Sequence, residues 1–374
     1  MKSQRKIRVL LVAPSTAIVG GQSRQAARLL KLLQEEALIE PSFLAHNPQL
    51  PGILGRLQKT KYIRTVVTTS YYWLLLFRQL PKYDIAHIFS ASYYSYLLSV
   101  APAILLCKLL GTKCILNYRS GEAEDHLRRW PLTTVPIMRL ADAIVTPSGY
   151  LVDVFARFGI NARPIFNNIE IERFRFRPRA NLQPKFLTSR ALEPLYNVGC
   201  VLKAFSIIQQ KYFNATLTVV GDGSLKQDLE RLSSELGLRN TKFLGFVAFE
   251  EMPALYSESD IYLNSPEIDN APNSLIECMA SGLAIVTTDA GGIPYLVKNE
   301  ETCLMIPRDD FRAMAYAACR LLERPSDALR LARRAHEEAQ KFTWEFVKEE
   351  WTILYRELAI GATKGLASPI GQCD

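Results

Sequence analysis

Short apolar runs alternate with helix-forming stretches along this chain, and they do so in two sets. In the first half the runs are IRVLLVAP, DIAHIF, KCILNY and AIVTPS; in the second they are KFLTSR, ATLTVVGDG, TKFLGF, IYLNSP and LAIVTTD. Runs this short, bounded by turn residues and separated by helical patterns, read as buried parallel strands covered by helices on both faces. The chain therefore predicts an α/β protein with two such sheets, which its 374 residues accommodate at roughly 150 residues per domain.

The join is expected near 166–184, FNNIEIERFRFRPRANLQP, which is irregular, charged and Pro-bearing. This gives a first Rossmann-like domain over 1–165 and a second over 166–340. A last helix follows over 341–360, where Trp344, Val347, Trp351, Leu354, Tyr355 and Leu358 recur at helical intervals. The tail, 361–374, reads as disordered. Ligands of open α/β sheets bind outside the carboxyl ends of the strands, which for two facing domains predicts a cleft between them.

The densest local pattern is 264–294, NSPEIDNAPNSLIECMASGLAIVTTDAGGIP. Asp269 and Glu277 stand eight positions apart around a turn-rich loop and a helix start. Pro272 sits at or near the first helical position, and Asn273 and Ser274 are capping types. The first amides of that helix, at Asn273, Ser274 and Leu275, are expected to face an anion with the positive end of the helix dipole behind them. A carboxylate on either side of a bound phosphate suits two polyols flanking it, which describes a nucleotide sugar.

These residues resemble the donor-site signature of retaining GT-B glycosyltransferases of the family 4 type (glycosyl transferases group 1). That family has two Glu residues bracketing seven others, then a small-residue helix, a Gly, an apolar strand and a Gly-Gly turn. Here Asp269 stands for the first Glu, and Glu277 is the second. LIECMASG is the helix, LAIVTTD the strand and Gly291-Gly292-Ile293-Pro294 the turn. The resemblance spans nearly the whole chain and implies two Rossmann-like domains facing across a cleft, with the last helix crossing back to brace the first domain.

Other segments take their candidate roles from the same resemblance. Gly20 and Gly21 follow the first strand where backbone can approach a phosphate closely, and the resemblance places them beside the donor diphosphate. A tight strand–helix turn explains the same pair structurally. Arg190 matches the family Arg on the departing diphosphate, and an Arg can form two parallel hydrogen bonds there. A surface ion pair is its structural alternative. The family's following Lys is absent, with Leu195 or Tyr196 in its place. Gly221 and Gly223 suit either a turn alone or nucleotide contact. On the acceptor side the candidates are His87, at the end of DIAHIF, and Tyr118 and Glu122 after KCILNY; Arg119, beside Tyr118, is a catalytic candidate that could bind either an anionic acceptor or the diphosphate. Tyr118-Arg119 stands where family members often have a His. A core histidine and a solvated loop are the structural alternatives.

Charge is unevenly placed. Residues 1–165 carry 21 basic and 9 acidic side chains, whereas 166–374 carry 24 and 28, so the first half faces an anionic surface or acceptor. The segment 56–82 is the sharpest patch, with Arg56, Lys59, Lys61, Arg64, Arg78 and Lys82 around the run Tyr71–Phe77. It fits an interfacial helix on anionic lipid, and equally a first-domain helix with one buried face and a solvated basic edge. No nucleic-acid motif accompanies the charge. Residues 85–107 lack charge but contain Pro102 and several serines, and they read as a buried strand plus helix rather than a membrane span. Seven scattered cysteines without a Cys-x-x-Cys pair suit reduced thiols in the cytoplasm, with the protein at most peripheral on the membrane.

No Asp-x-Asp pair occurs, so the expected chemistry is metal-independent and needs no cofactor. Arg190, the Gly20-Gly21 backbone and the helix start stabilise the leaving diphosphate, UDP first among the candidates. Asp269 holds donor-sugar hydroxyls and Glu277 the ribose. The resemblance implies retention of anomeric configuration and transfer to a glycan or lipid-linked acceptor in polysaccharide or envelope synthesis. A GT-B epimerase or hydrolase, and a non-catalytic nucleotide- or membrane-binding scaffold, are the rival readings.

Overall fold

A computed structural model describes residues 5–15, 21–50, 55, 56, 58, 60–90 and 92–365. Gly20 and Lys59 therefore lie outside the described residues, as does 366–374. The chain divides into two compact units, Met1–Asn168 with Val347–Asp374, and Ile169–Phe346.

The first unit is built on a six-stranded sheet in the order β2-β1-β3-β4-β5-β6. Its strands are β1 (Ile7–Ala13), β2 (Ile39–Ala45), β3 (Ile85–Ser90), β4 (Lys113–Tyr118), β5 (Ala143–Thr146) and β6 (Arg163–Pro164). All the pairings are parallel, with Leu11 opposite His87 and His87 opposite Ile115 at the centre. Every residue of β3 is buried, as expected for a strand covered on both faces. Leu10, Val12, Ile88, Leu116, Ile104 and Phe155 form part of one apolar core. The elements that matter below are α1 (Gly21–Gln34), α2 (Lys61–Gln79), α3 (Ala101–Leu110) and α4 (Ala123–Arg129). The uncharged stretch contributes central strand β3 and then a continuous helical run, Tyr93–Leu110, with a π turn over Tyr96–Val100. That run is long and apolar enough to cross a membrane by length and composition, and it packs on α2 and β4.

The second unit has the order β12-β11-β10-β7-β8-β9, again all parallel. Its strands are β7 (Lys185–Ser189), β8 (Thr216–Val220), β9 (Thr241–Gly245), β10 (Ile261–Asn264), β11 (Ala284–Thr288) and β12 (Leu304–Ile306). Phe186, Leu217, Ile261 and Val286 from the strands meet Phe205 and Met314 from the helices in a second core. Helices α5 (Val198–Lys211), α6 (Met252–Glu258) and α7 (Asn273–Ser281) frame the candidate site.

The last helix, α8 (Trp344–Gly365), continues through the point where the sequence suggests a disordered tail at 361. Val347, Trp351, Leu354 and Tyr355 are buried on it. Trp351 and Tyr355 contact His87 of the first unit, by ring packing and by a hydrogen bond, which explains why the helix from Val347 onward belongs there rather than with the strands that precede it in sequence.

Candidate donor site

Arg190 follows β7, where its backbone is fixed before its side chain is. Its N–H donates to Val220 O at 3.0 Å, and Leu192 N donates to Asp222 O at 2.9 Å. Gly221 adopts φ +136°, and a Cβ there would collide with Arg190 O; one at Gly223 would strike the Leu192 carbonyl. Both glycines thus allow the β8 turn to lie flat against the Arg190 loop. Their shown role is this backbone seam.

The Arg190 guanidinium is ion-paired with Asp269, donates from Nη1 to Ser274 Oγ at 3.2 Å and lies 4.1 Å above the Tyr196 ring centroid. Tyr196, where the sequence offers no Lys, thus supplies an aromatic face to the same cation. Arg190 Nε is buried without a partner. Burial opposes the charge on Arg190, but Asp269, Tyr196 and Tyr262 more than offset it and raise its pKa. Two of its five N–H groups are thereby engaged, leaving three donors in a cation held rigidly from both sides.

Asp269 lies in the loop after β10. Its Oδ1 accepts from Asn270 N at 2.8 Å, and its carbonyl accepts from Gly292 N at 2.9 Å. A Cβ at Gly291 would overlap Asp269 O, and one at Gly292 would overlap Asn270 O. The Gly-Gly turn after β11 therefore exists so that two backbones can touch, which fixes the height of the Asp269 carboxylate.

Helix α7 begins where the sequence places it, but its first amides are used differently. Pro272 is the cap residue, at φ −68° and ψ 120°, and Asn273 is the first helical position. The Leu275 amide, expected to be an open donor, is bonded to Pro272 O at 3.1 Å, because the first turn tightens as helix starts often do. Ser274 instead contributes its hydroxyl to Arg190.

Glu277 is buried within α7, and its Oε2 accepts from the Tyr256 hydroxyl at 2.8 Å. Since Tyr256 gives its single proton there, Ser189 Oγ must donate to Tyr256 (3.2 Å), and Tyr262 in turn donates to Ser189 (3.3 Å to Oγ, 3.2 Å to the carbonyl). This ordered chain of hydroxyls ends on the carboxylate. Burial and then the Glu277 charge push the Tyr256 phenol well up, and burial raises Tyr262 to about 12, so both remain protonated donors. Sequence reading misses Tyr256, Tyr262 and Ser189. The only signal is a phenol on the buried side of α6 and another on the buried strand β10, where an aliphatic side chain would pack as well.

The first-unit candidates separate from one another. Gly21 is the first residue of α1, and a Cβ there would meet nothing within 4 Å. His87 is fully buried rather than an accessible strand-end group. Asn117 Nδ2 donates to its Nε2 at 2.9 Å, so Nδ1–H donates to Tyr355 Oη at 2.8 Å, and Trp351 packs 4.7 Å from its ring. Burial, aided by Arg119, lowers its pKa to about 3. It anchors α8 to the sheet, and an acceptor-binding role for it is withdrawn. Tyr118 is also fully buried, with its hydroxyl 3.0 Å from Ser92 Oγ and 3.1 Å from His126 Nδ1, which leaves no exposed surface for an acceptor. Arg119 is half-buried, bonded to Asn167 and to Asn117 (3.4 Å), with burial lowering it to about 10. Glu122 caps α4 by position and is exposed.

Comparison with known proteins bears on the second unit most directly. Residues 183–324 match the family model described as "Glycosyl transferases group 1". That range contains Arg190, Gly221, Gly223, Asp269, Asn273, Ser274, Leu275 and Glu277. The amylovoran biosynthesis glycosyltransferase AmsK of Erwinia amylovora is 30% identical over 202 residues, 51% of this chain and 48% of that protein. The chain spans about half or less of the first curated relatives it matches. Among solved structures, sucrose-phosphate synthase from Thermosynechococcus elongatus superposes with a TM-score of 0.74 at 19% identity, over 95% of this chain and 100% of that one. Anabaena Alr3699/HepE, solved with UDP and glucose, gives 0.70 at 17% identity, over 93% and 99%. At such identities these likenesses establish the fold alone. Residues 183–324 thus resemble the glycosyl transferases group 1 family, and the chain's two parallel sheets are those of a GT-B fold.

Proposed function

We propose that this protein is a retaining glycosyltransferase of the family 4 type that moves a sugar from a nucleoside-diphosphate sugar to a glycan or lipid-linked acceptor without a divalent metal. The observation that carries the reading is the buried Arg190, clamped by Asp269, Ser274 and Tyr196 with three N–H groups still to give. A preorganised cation of this kind stabilises charge developing on a departing diphosphate without reorganising. Asp269 keeps carboxylate lone pairs for donor-sugar hydroxyls, and Glu277, held by Tyr256, is the group assigned to the ribose. Asn273 and Ser274 place the positive end of α7 beside Arg190. UDP is the first candidate base, since it is the nucleotide bound by the Anabaena neighbour. The relative's role in amylovoran biosynthesis favours an acceptor from polysaccharide synthesis.

Metal independence draws support from the donor set. Among the described residues no group of three or more His, Cys, Asp or Glu side chains is arranged to hold a metal ion. A cytoplasmic setting is favoured by six free cysteines among the described residues, five of them buried. Arg119 and Glu122 remain the acceptor-side proposals.

The test is thermal stability of the full chain against UDP, GDP, ADP and their sugars, in EDTA. One nucleoside diphosphate should raise the melting temperature by several degrees with EDTA present. No shift with any nucleotide would overturn the donor reading, and a shift abolished by EDTA would overturn metal independence. The anomeric proton signal of the product, read by NMR, reports retention or inversion.

A further inference from the structure

Helix α2 has an apolar face that points away from the protein. Tyr72 and Leu76 are buried on its inner side, and the Tyr72 hydroxyl donates to Ser99 O at 3.0 Å. On its outer side Ile63, Val66, Trp73, Leu74 and Phe77 are between 42 and 67% exposed. At the helical repeat these five fall within an arc of about 100°. A solvated surface helix would carry polar residues there.

The face continues onto the neighbouring helical run. Trp73 Nε1 donates to Leu98 O at 3.0 Å, and Leu98, Leu105 and Leu109 are exposed beyond it. Arg64 and Arg78 follow the apolar arc along one edge of α2; Lys82, in the turn just after α2, and Lys108, in the Tyr93–Leu110 run, are also exposed. From residue 41 to 121 the sequence contains nine Lys or Arg and a single carboxylate, Asp84, which is already paired with Arg5 and Arg8. Exposed aromatics and aliphatics bordered by unopposed cations match the headgroup–acyl boundary of an anionic bilayer: apolar side chains enter, and cations meet lipid phosphates. The same charge pattern is poorly matched to a second copy of this chain, whose corresponding face is equally basic.

We propose that α2, with the outer side of Tyr93–Leu110, is a docking surface for an anionic membrane leaflet, on which the helices lie parallel to the plane. This assigns the membrane contact to named side chains and does not depend on the donor-site reading.

Flotation of the full chain with vesicles tests it. Vesicles of phosphatidylglycerol and phosphatidylcholine should carry the protein, pure phosphatidylcholine should not, and rising salt should release it. The pairs Arg64→Glu with Arg78→Glu, and Val66→Ser with Phe77→Ser, should each lower binding by about tenfold or more. All four positions are surface-exposed, so the variants should keep the wild-type circular dichroism and melting temperature. Equal flotation on neutral and anionic vesicles would overturn the role of charge. Undiminished flotation of both pairs would overturn the assignment to this face. A dimer in sedimentation velocity that the Val66–Phe77 pair dissociates, without flotation, would give the face to a second copy instead.

Discussion

Arg190 and Asp269 form an ion pair in which both side chains are largely buried, although 79 residues separate them in sequence. One follows β7 and the other lies in the loop after β10. These strands are sheet neighbours, so the pair is a direct product of topology. A buried pair of this kind is weak evidence for stability, because desolvation offsets much of the attraction. Its value lies in orientation: the carboxylate fixes where the remaining guanidinium donors point.

Replacing Arg190 should therefore impair turnover more than folding. Arg190→Ala is expected to lower kcat/KM by roughly a hundredfold or more, the scale of removing a principal charge-stabilising donor. Arg190→Lys should recover only part of it, since a single ammonium cannot hold Asp269, Ser274 and a diphosphate together. Steady-state kinetics on one nucleotide sugar checks both.

The two glycine pairs should respond in opposite ways. Gly292→Ala forces a Cβ into Asn270 O and is expected to cost about 2–4 kcal/mol, read by urea denaturation. Gly21→Ala meets no neighbour and should leave stability unchanged. If the Gly21 backbone lies beside the donor diphosphate, the same variant weakens nucleotide binding; titration calorimetry on the folded variant decides it.

Tyr256→Phe removes the proton that Glu277 accepts and leaves a buried carboxylate oxygen without that bond. The expected loss is about 1–3 kcal/mol of stability. A denaturation midpoint equal to that of wild type would mean that the hydroxyl chain from Tyr262 through Ser189 is not structural.

Histidines dictate the acid limb of stability. Burial holds His87 near pKa 3 and His126 near 4, whereas unfolded histidine titrates near 6.5. Below pH 6.5 the unfolded chain binds protons that the folded chain refuses. Their contribution is present above that pH and is lost progressively as pH falls toward the folded values. Each contributes a slope of up to about 1.4 kcal/mol per pH unit. His87→Gln should flatten the dependence between pH 6 and 4 by about that amount in urea titrations followed by tryptophan fluorescence.

Nine of the twelve strands are legible in the sequence because each is a compact apolar run. The three that are not are β2, β6 and β12. β2 reads IEPSFLA, with a Glu and a Pro that only an edge strand tolerates. β6 has two residues and β12 three, too few for a period. Within the site, Asp269, Ser274 and Glu277 are visible as residue types at a spacing, and Arg190 through the family resemblance. Tyr256, Tyr262 and Ser189 are not, because a hydroxyl buried on an apolar element leaves no pattern. His87 misled for a related reason: the groups that cover it, Trp351 and Tyr355, come from a helix more than 260 positions away, and its strand carries no trace of them.

The most direct measurement is titration calorimetry of UDP into the full chain in EDTA, comparing wild type with Arg190→Ala. The account predicts binding by wild type that EDTA does not change and a loss of about a hundredfold in affinity in the variant. Equal affinity in the two proteins would contradict the claim that the Arg190–Asp269 site holds the diphosphate.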